Sequence, residues 1–260
     1  MYDSVYLNLY DVSAEQLSDR VVIHTVGRMT ADSLYAGFFC KIDYEIYEGG
    51  NILVSIKGEP YGDLPHTMPR IGVVLKLDKE FSQCRWIGRG PDQNYPDAKL
   101  ASPVGVYSKS VEDMNFMFDM PQETGNREDV SLATVRDGAG RCISIVGSDK
   151  FSFSFHDFTL ENLTSAVHKN ELIKTSDANY LYIDYKVRGL GSNSCGPEPE
   201  SKYELPPHSF EFSFMISPAD EKMAGVLARQ DFGRKSQALS GAYKPEKIEK
   251  IREIADCDIF

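Results

Sequence analysis

Short runs in which apolar and polar residues alternate dominate the chain from about residue 20 to residue 218, the period-2 pattern of strands with one buried face. Phe38-Phe39-Cys40-Lys41-Ile42-Asp43-Tyr44-Glu45-Ile46-Tyr47 and Ile52-Leu53-Val54-Ser55-Ile56 flank Glu48-Gly49-Gly50-Asn51, which predicts a β-hairpin. A second hairpin is predicted from Val130 to Val135, turning at Asp137-Gly138-Ala139-Gly140 and returning from Cys142 to Val146. Phe151, Phe153 and Phe155 alternate with Ser152 and Ser154, as Phe210, Phe212 and Phe214 do with Glu211 and Ser213. Aromatic residues on one face and small polar residues on the other predict a large sheet-on-sheet core.

The period changes twice. After Thr159, the apolar residues Leu160, Leu163 and Val167 recur at helical spacing, predicting a helix through about Ile173. Beyond Ala219, residues 221–230 and 245–255 read as two helices, the second with Pro245 at its first position and Ile248, Ile251 and Ile254 as a stripe. A boundary near Pro218 therefore separates a β-sandwich domain over 1–218 from a helical tail over 219–260. Residues 1–20 contribute one short strand-like run, Val5-Tyr6-Leu7-Asn8-Leu9-Tyr10.

Composition narrows the class of partner. With 260 residues, 42% hydrophobic and 26% charged, the chain suits one large all-β domain or two small ones. The formal charge of −11 argues against a nucleic-acid partner and against docking on anionic lipid, whereas a neutral sugar needs no charge match. Met1-Tyr2-Asp3-Ser4 opens no secretory pattern, and no apolar run approaches the ~20 residues of a membrane span. Five scattered cysteines without a C-x-x-C pair read as reduced thiols, hence a cytoplasmic chain. The five histidines show no H-x-x-x-H or H-E-x-x-H spacing, so no metal site is expected in this chain.

Two segments do not follow strand patterning. Trp86-Ile87-Gly88-Arg89-Gly90-Pro91-Asp92-Gln93-Asn94-Tyr95-Pro96-Asp97 packs glycines, prolines, Asp and Asn into a tight loop, read either as a self-bonded structural loop or as part of a site. Gly189-Leu190-Gly191-Ser192-Asn193-Ser194-Cys195-Gly196-Pro197 follows the strand predicted at 180–187, and its glycines allow close backbone approach to a ligand. No Lys-Ser/Thr follows, so it is not a phosphate-binding loop.

The order Pro69-Arg70-Ile71-Gly72, Trp86-x-Gly-x-Gly-Pro91-x-x-Asn94-Tyr95-x-Asp97, Tyr182-Ile183-Asp184, Gly189-x-Gly191-x-x-Ser194 and Gly196-Pro197 resembles the last domain of β-galactosidases of glycoside hydrolase family two, over residues 20–218. The resemblance implies a large antiparallel β-sandwich of the galactose mutarotase-like kind, with the glycine-rich loop reaching over a galactoside site built mainly by a separate barrel. It assigns substrate contact to Gly191, Asn193, Ser194 and Cys195. Many relatives carry a sugar-stacking Trp at the position of Cys195; others have Cys there, and the flat platform is absent here. An upstream Arg-Ala-Pro-Thr-Asp-Asn-Asp segment is not found, so the first strands of the sandwich are expected to be missing or supplied by another chain.

Retaining hydrolysis needs two carboxyl groups about 5–5.5 Å apart, and the resemblance puts both in the barrel, together with magnesium and sodium. Here Asn170-Glu171 is the only Asn-Glu pair and is expected on a solvated helix, and Glu198, Glu200 and Glu204 read as exposed loop charges. The chain is therefore expected to hold no catalytic residue and no cofactor. The partners implied are a galactoside, a barrel-bearing domain or large subunit, and further copies in an oligomer. An independent carbohydrate-binding or structural module and a free-standing sugar mutarotase are the alternatives.

Overall fold

A computed structural model describes residues 5–31, 35–192 and 196–238 of the chain. Eleven strands run antiparallel: β1 (Tyr6–Gln16), β2 (Arg20–Thr30), β3 (Gly37–Tyr47), β4 (Ile52–Tyr61), β5 (Arg70–Asp78), β6 (Gln83–Arg89), β7 (Val104–Ser110), β8 (Arg127–Arg136), β9 (Cys142–His156), β10 (Ala178–Val187) and β11 (Phe210–Ser217). Their order is β1-β2-β3-β4-β11-β9-β8-β6-β7, and β10 joins β9 to β5. The fifteen-residue β9 belongs to both layers of the sandwich. Its first half pairs with β11 and β8, and its second half with β10 and the start of β8. Phe153, Phe155, Leu181 and Ile183 thereby meet Ile42, Val54, Phe212 and Phe214 in one core.

Both predicted hairpins are present, as β3–β4 and β8–β9. The expected polar outer face of β9 is not. Ser152 and Ser154 are as buried as their phenylalanine neighbours, and the Ser152 hydroxyl donates to Glu128 at the end of the 121–128 loop. The strand-like run at 5–10 extends into an eleven-residue strand paired with β2 from Tyr6↔Thr30 to Gln16↔Val21. Its register slips between Leu9 and Asp11, where Gly27 admits the Asn8 carbonyl; a Cβ there would lie 2.2 Å from that oxygen. Among the described residues, the outer edges of β1, β5 and β7 are unpaired.

The helix expected from Thr159 to Ile173 stops early. Helix α1 spans Leu160–Ser165, capped by the Thr159 hydroxyl, and a 3-10 turn follows at Lys169–Glu171. The Glu171 carboxylate accepts from the Val167 and His168 amides and Asn162 bridges to the Ile173 amide, so the backbone is satisfied without further helix. Val167 and Ile173 are exposed in consequence. Helix α2 (Glu221–Ala238) is longer than expected and starts on the Asp220 carboxylate, which accepts from the Met223 amide. It buries Ala224 and Ala228 where it meets β8 and β9, and Glu221 pairs with Arg136. The stripe at Ile248, Ile251 and Ile254 lies outside the described residues. No helix among the described residues is long and apolar enough to cross a membrane.

Candidate functional site

The loop after β6 is built around the only tryptophan. Trp86 is fully buried, its indole N–H donates to the Arg89 carbonyl at 2.9 Å, and Tyr107 and Phe153 flank its ring. It is a core residue and offers no face to a sugar. Arg89 donates to the Lys99 and Ser102 carbonyls, and the Asn94 amide group to the Asp92 carbonyl, so the loop does bond to itself.

A second loop, 121–128, clamps the first. The Asn94 N–H donates to the Asn126 carbonyl at 2.9 Å, the Asn126 side chain returns a bond to the Asn94 carbonyl at 2.8 Å, and Asn94 Oδ1 accepts from the Glu128 N–H at 2.9 Å. Gln93 Oε1 takes the Thr124 hydroxyl and the Gly125 N–H. Arg127 lies under both loops, donating to the carbonyls of Pro91, Met114, Gly125 and Asn126, with its guanidinium 5.3 Å from the Trp86 ring centroid. Burial lowers its pKa to about 10.

Beneath lies a network of charges. Arg70 holds both Glu123 oxygens at 2.8 Å and reaches Asp184 at 3.1 Å, and the Tyr95 hydroxyl donates to Glu123 at 3.2 Å. The motifs around Arg70, Tyr95 and Asp184, far apart in sequence, thus meet in one cluster. Gly72 is required beside it, since a Cβ there would stand 2.1 Å from Asp184 Oδ1. Burial pushes the Asp184 carboxyl up to about 7 against the pull of Arg70. Burial works against the Arg70 charge, but Asp184 and Glu123 outweigh it and raise its pKa.

The glycine-rich segment leaves β10 directly above. Gly189 donates to the Tyr203 carbonyl at 2.9 Å, and a Cβ there would come within 2.9 Å of both Asp97 Cγ and Tyr203 Cβ. Gly191 has φ +65°, and its N–H donates to Asp97 Oδ2 at 2.6 Å. Asp97 thereby ties the end of the Trp-Gly-Pro loop to the glycine-rich loop. Of the residues assigned to substrate contact, Gly191 stands at this junction; Asn193, Ser194 and Cys195 lie outside the described residues.

The acidic candidates have structural partners. Glu171 closes a capping box with His168 on an exposed turn, as a solvated Asn-Glu pair would. Glu198 and Glu200 are exposed, but Glu204 is not the free loop charge expected. It makes two bonds to Arg188, at 2.8 and 2.9 Å, and this hydrogen bonding holds its carboxyl down at about 2. Among the described residues no three His, Cys, Asp or Glu side chains cluster as metal ligands. His156 is fully buried between Phe158 and Tyr182, neither ring nitrogen has a protein partner, and burial drives its pKa down to about 3.

Sequence reasoning missed the clamp at 121–128 and the role of Asp97. One signal was available: Pro121-Gln122-Glu123-Thr124-Gly125-Asn126-Arg127-Glu128-Asp129 holds no apolar side chain beyond its proline, yet leads into a buried strand. Such a run needs internal partners for its polar groups once covered.

The family model described as "Beta galactosidase small chain" matches residues 3–216. The chain is 33% identical over 188 residues to a β-galactosidase of Staphylococcus xylosus, covering 72% of this chain and 19% of that protein. It is 32% identical over 223 residues to a β-galactosidase of Kluyveromyces lactis, covering 83% and 21%. The chain thus spans about a fifth of the length of the curated relatives it matches. A solved structure of a putative aldose 1-epimerase from Escherichia coli K12 aligns with a TM-score of 0.39 at 10% identity, over 80% of this chain and 68% of that one.

Proposed function

Because the chain belongs to the β-galactosidase small-chain family, we propose that it works as a component of a β-galactosidase and forms one wall of the galactoside site without supplying the catalytic carboxyl groups. The observation that carries this reading is the family match along 3–216 in a chain equivalent to only a fifth of whole β-galactosidases. The remaining four-fifths of such an enzyme then comes from a barrel-bearing domain or large subunit, which also brings the magnesium and sodium sites.

In this reading the wall is the glycine-rich loop, with Gly191, Asn193, Ser194 and Cys195 toward the sugar. Asp97 is a positioning residue. Its carboxylate fixes the Gly191 amide, and the clamp at 121–128 fixes the loop that carries Asp97. Backbone held from below in this way presents its upper groups to a ligand in one geometry, which reduces the ordering cost of binding. Cys195 gives the sugar a small thiol-bearing neighbour in place of an aromatic platform.

The test is association. The purified chain is mixed with a β-galactosidase truncated before its last domain, and the mixture is sedimented. A complex of defined stoichiometry is expected. If the two species sediment independently at micromolar concentration, the component reading fails and an independent carbohydrate-binding module takes its place.

A further inference from the structure

The two layers of the sandwich end out of step. On one side the sheet continues from β4 through β3 and β2 to β1, whereas on the other β5 is the last strand, paired with β10 alone among the described residues. A groove of about 240 Å³ runs beside β5. Five consecutive β5 residues, Arg70 to Val74, line it. Successive side chains of a strand point to opposite faces, so one groove meets all five by following the strand's edge. Across from them stand Met29 of β2 and Phe38, Cys40 and Ile42 of β3. Met29 pairs with Phe38 in the ladder, and the β3 residues are two apart, so all four share the inner face of their sheet.

This edge is apolar and unguarded. Val73, Leu75 and Leu77 pack on the core yet are only half-buried, and Met29 is 38% exposed. Strand edges that stay open to water usually carry proline or an inward-pointing charge. β5 contains no proline, and its inward positions Ile71, Val73, Leu75 and Leu77 hold no charge. A row of backbone donors and acceptors beside an apolar floor fits an extended chain, which bonds along the edge and sets every second side chain on the floor. The position of the groove indicates where that chain comes from. Its Arg70 end adjoins the glycine-rich loop, because the Pro69 carbonyl accepts from the Arg188 N–H at 2.9 Å where that loop leaves β10. The whole relatives carry about four-fifths of their length outside the part that this chain matches.

We propose that an extended segment of the barrel-bearing partner adds to the free edge of β5 as a further strand, its apolar side chains on Met29, Phe38 and Cys40. The added strand closes the sandwich and anchors the partner beside the glycine-rich loop. This inference rests on the reading of the chain as a β-galactosidase component and names the surface through which it joins.

The experiment is amide hydrogen exchange on the full chain, alone and mixed with the β-galactosidase of Staphylococcus xylosus truncated where its match to this chain begins. Exchange over residues 70–78 is expected to slow at least about tenfold in the complex. Met29→Glu puts a charge on the groove floor at a half-exposed position and is expected to weaken the complex about tenfold or more, whereas Met29→Leu retains it. Both variants are expected to keep the wild-type urea midpoint. A complex in which β5 exchanges as it does in the free chain, or one indifferent to Met29→Glu, overturns this proposal and leaves the component reading standing. The absence of any complex overturns both. Protection of β5 that rises with the concentration of the chain alone gives the edge to a second copy and overturns the proposal as well.

Discussion

Protonation of His156 is predicted to weaken the fold as pH falls, by an amount that can be worked out. The ring is fully buried, with a folded pKa of about 3 set first by burial and then by the Arg70 and Arg127 charges. In the unfolded chain a histidine titrates near 6.5, so between those values the unfolded state binds the proton first. A folded value below the unfolded one means stability that is present above about 6.5 and is lost as pH falls toward 3. At 1.36 kcal/mol per unit, lowering the pH from about 7 to about 5 removes about 2 kcal/mol through this residue. Asp184 acts in the opposite direction. Its folded value is raised, so its contribution is complete below the unfolded carboxylate range and is lost as pH rises through about 7. The two buried groups offset each other in the wild-type chain, and single substitutions separate them. Trp86, buried in the core and unique in the chain, reports urea unfolding by fluorescence. The stability difference between wild type and His156→Gln is expected to shift by about 2 kcal/mol between pH 5 and pH 7, in favour of wild type at the higher pH. Asp184→Asn is expected to shift its difference with the opposite sign. A difference for His156→Gln that stays constant over this range would refute the burial argument.

Arg127→Met removes the guanidinium that donates to four loop carbonyls and is expected to cost about 3–5 kcal/mol by urea unfolding. Gly191→Ala forces a side chain to φ +65° with its Cβ 2.7 Å from the Pro197 carbonyl; amide exchange across 189–197 is expected to quicken, at a local cost of about 1–3 kcal/mol. Asp97→Ala frees the Gly191 amide, and in an assembled β-galactosidase is expected to raise KM for a nitrophenyl galactoside while Asp97→Asn retains part of the effect.

The fold was legible because burial in a sandwich imposes a period of two. Phe38 to Ile56 and Val130 to Val146 declare their hairpins through alternation and glycine turns alone. Where polar residues satisfy one another out of sequence, the pattern misleads. Ser152 and Ser154 read as solvent-facing, yet Ser152 is buried under Glu128 from a loop 24 residues away. The helical spacing of Leu160, Leu163 and Val167 is real, but Asn162 and Glu171 turn the chain before Val167 can use it. The candidate site was legible only as a set of motifs. Arg70, Tyr95, Asp97, Asp184 and Gly191 stood in the right order, but that Arg70 joins Asp184 to Glu123, and Asp97 carries the glycine-rich loop, depends on distances that no local pattern encodes.

The proposed role, completing a β-galactosidase without carrying its chemistry, is tested most directly by turnover. Hydrolysis of a nitrophenyl galactoside is measured for the purified chain, for a β-galactosidase truncated before its last domain, and for the two together. No turnover above background by the chain alone, and activity that rises in the mixture until the partners are equimolar, is the predicted result. Turnover by the chain alone that is abolished by substituting one of its own Glu residues, or a mixture no more active than the truncated enzyme, would contradict it.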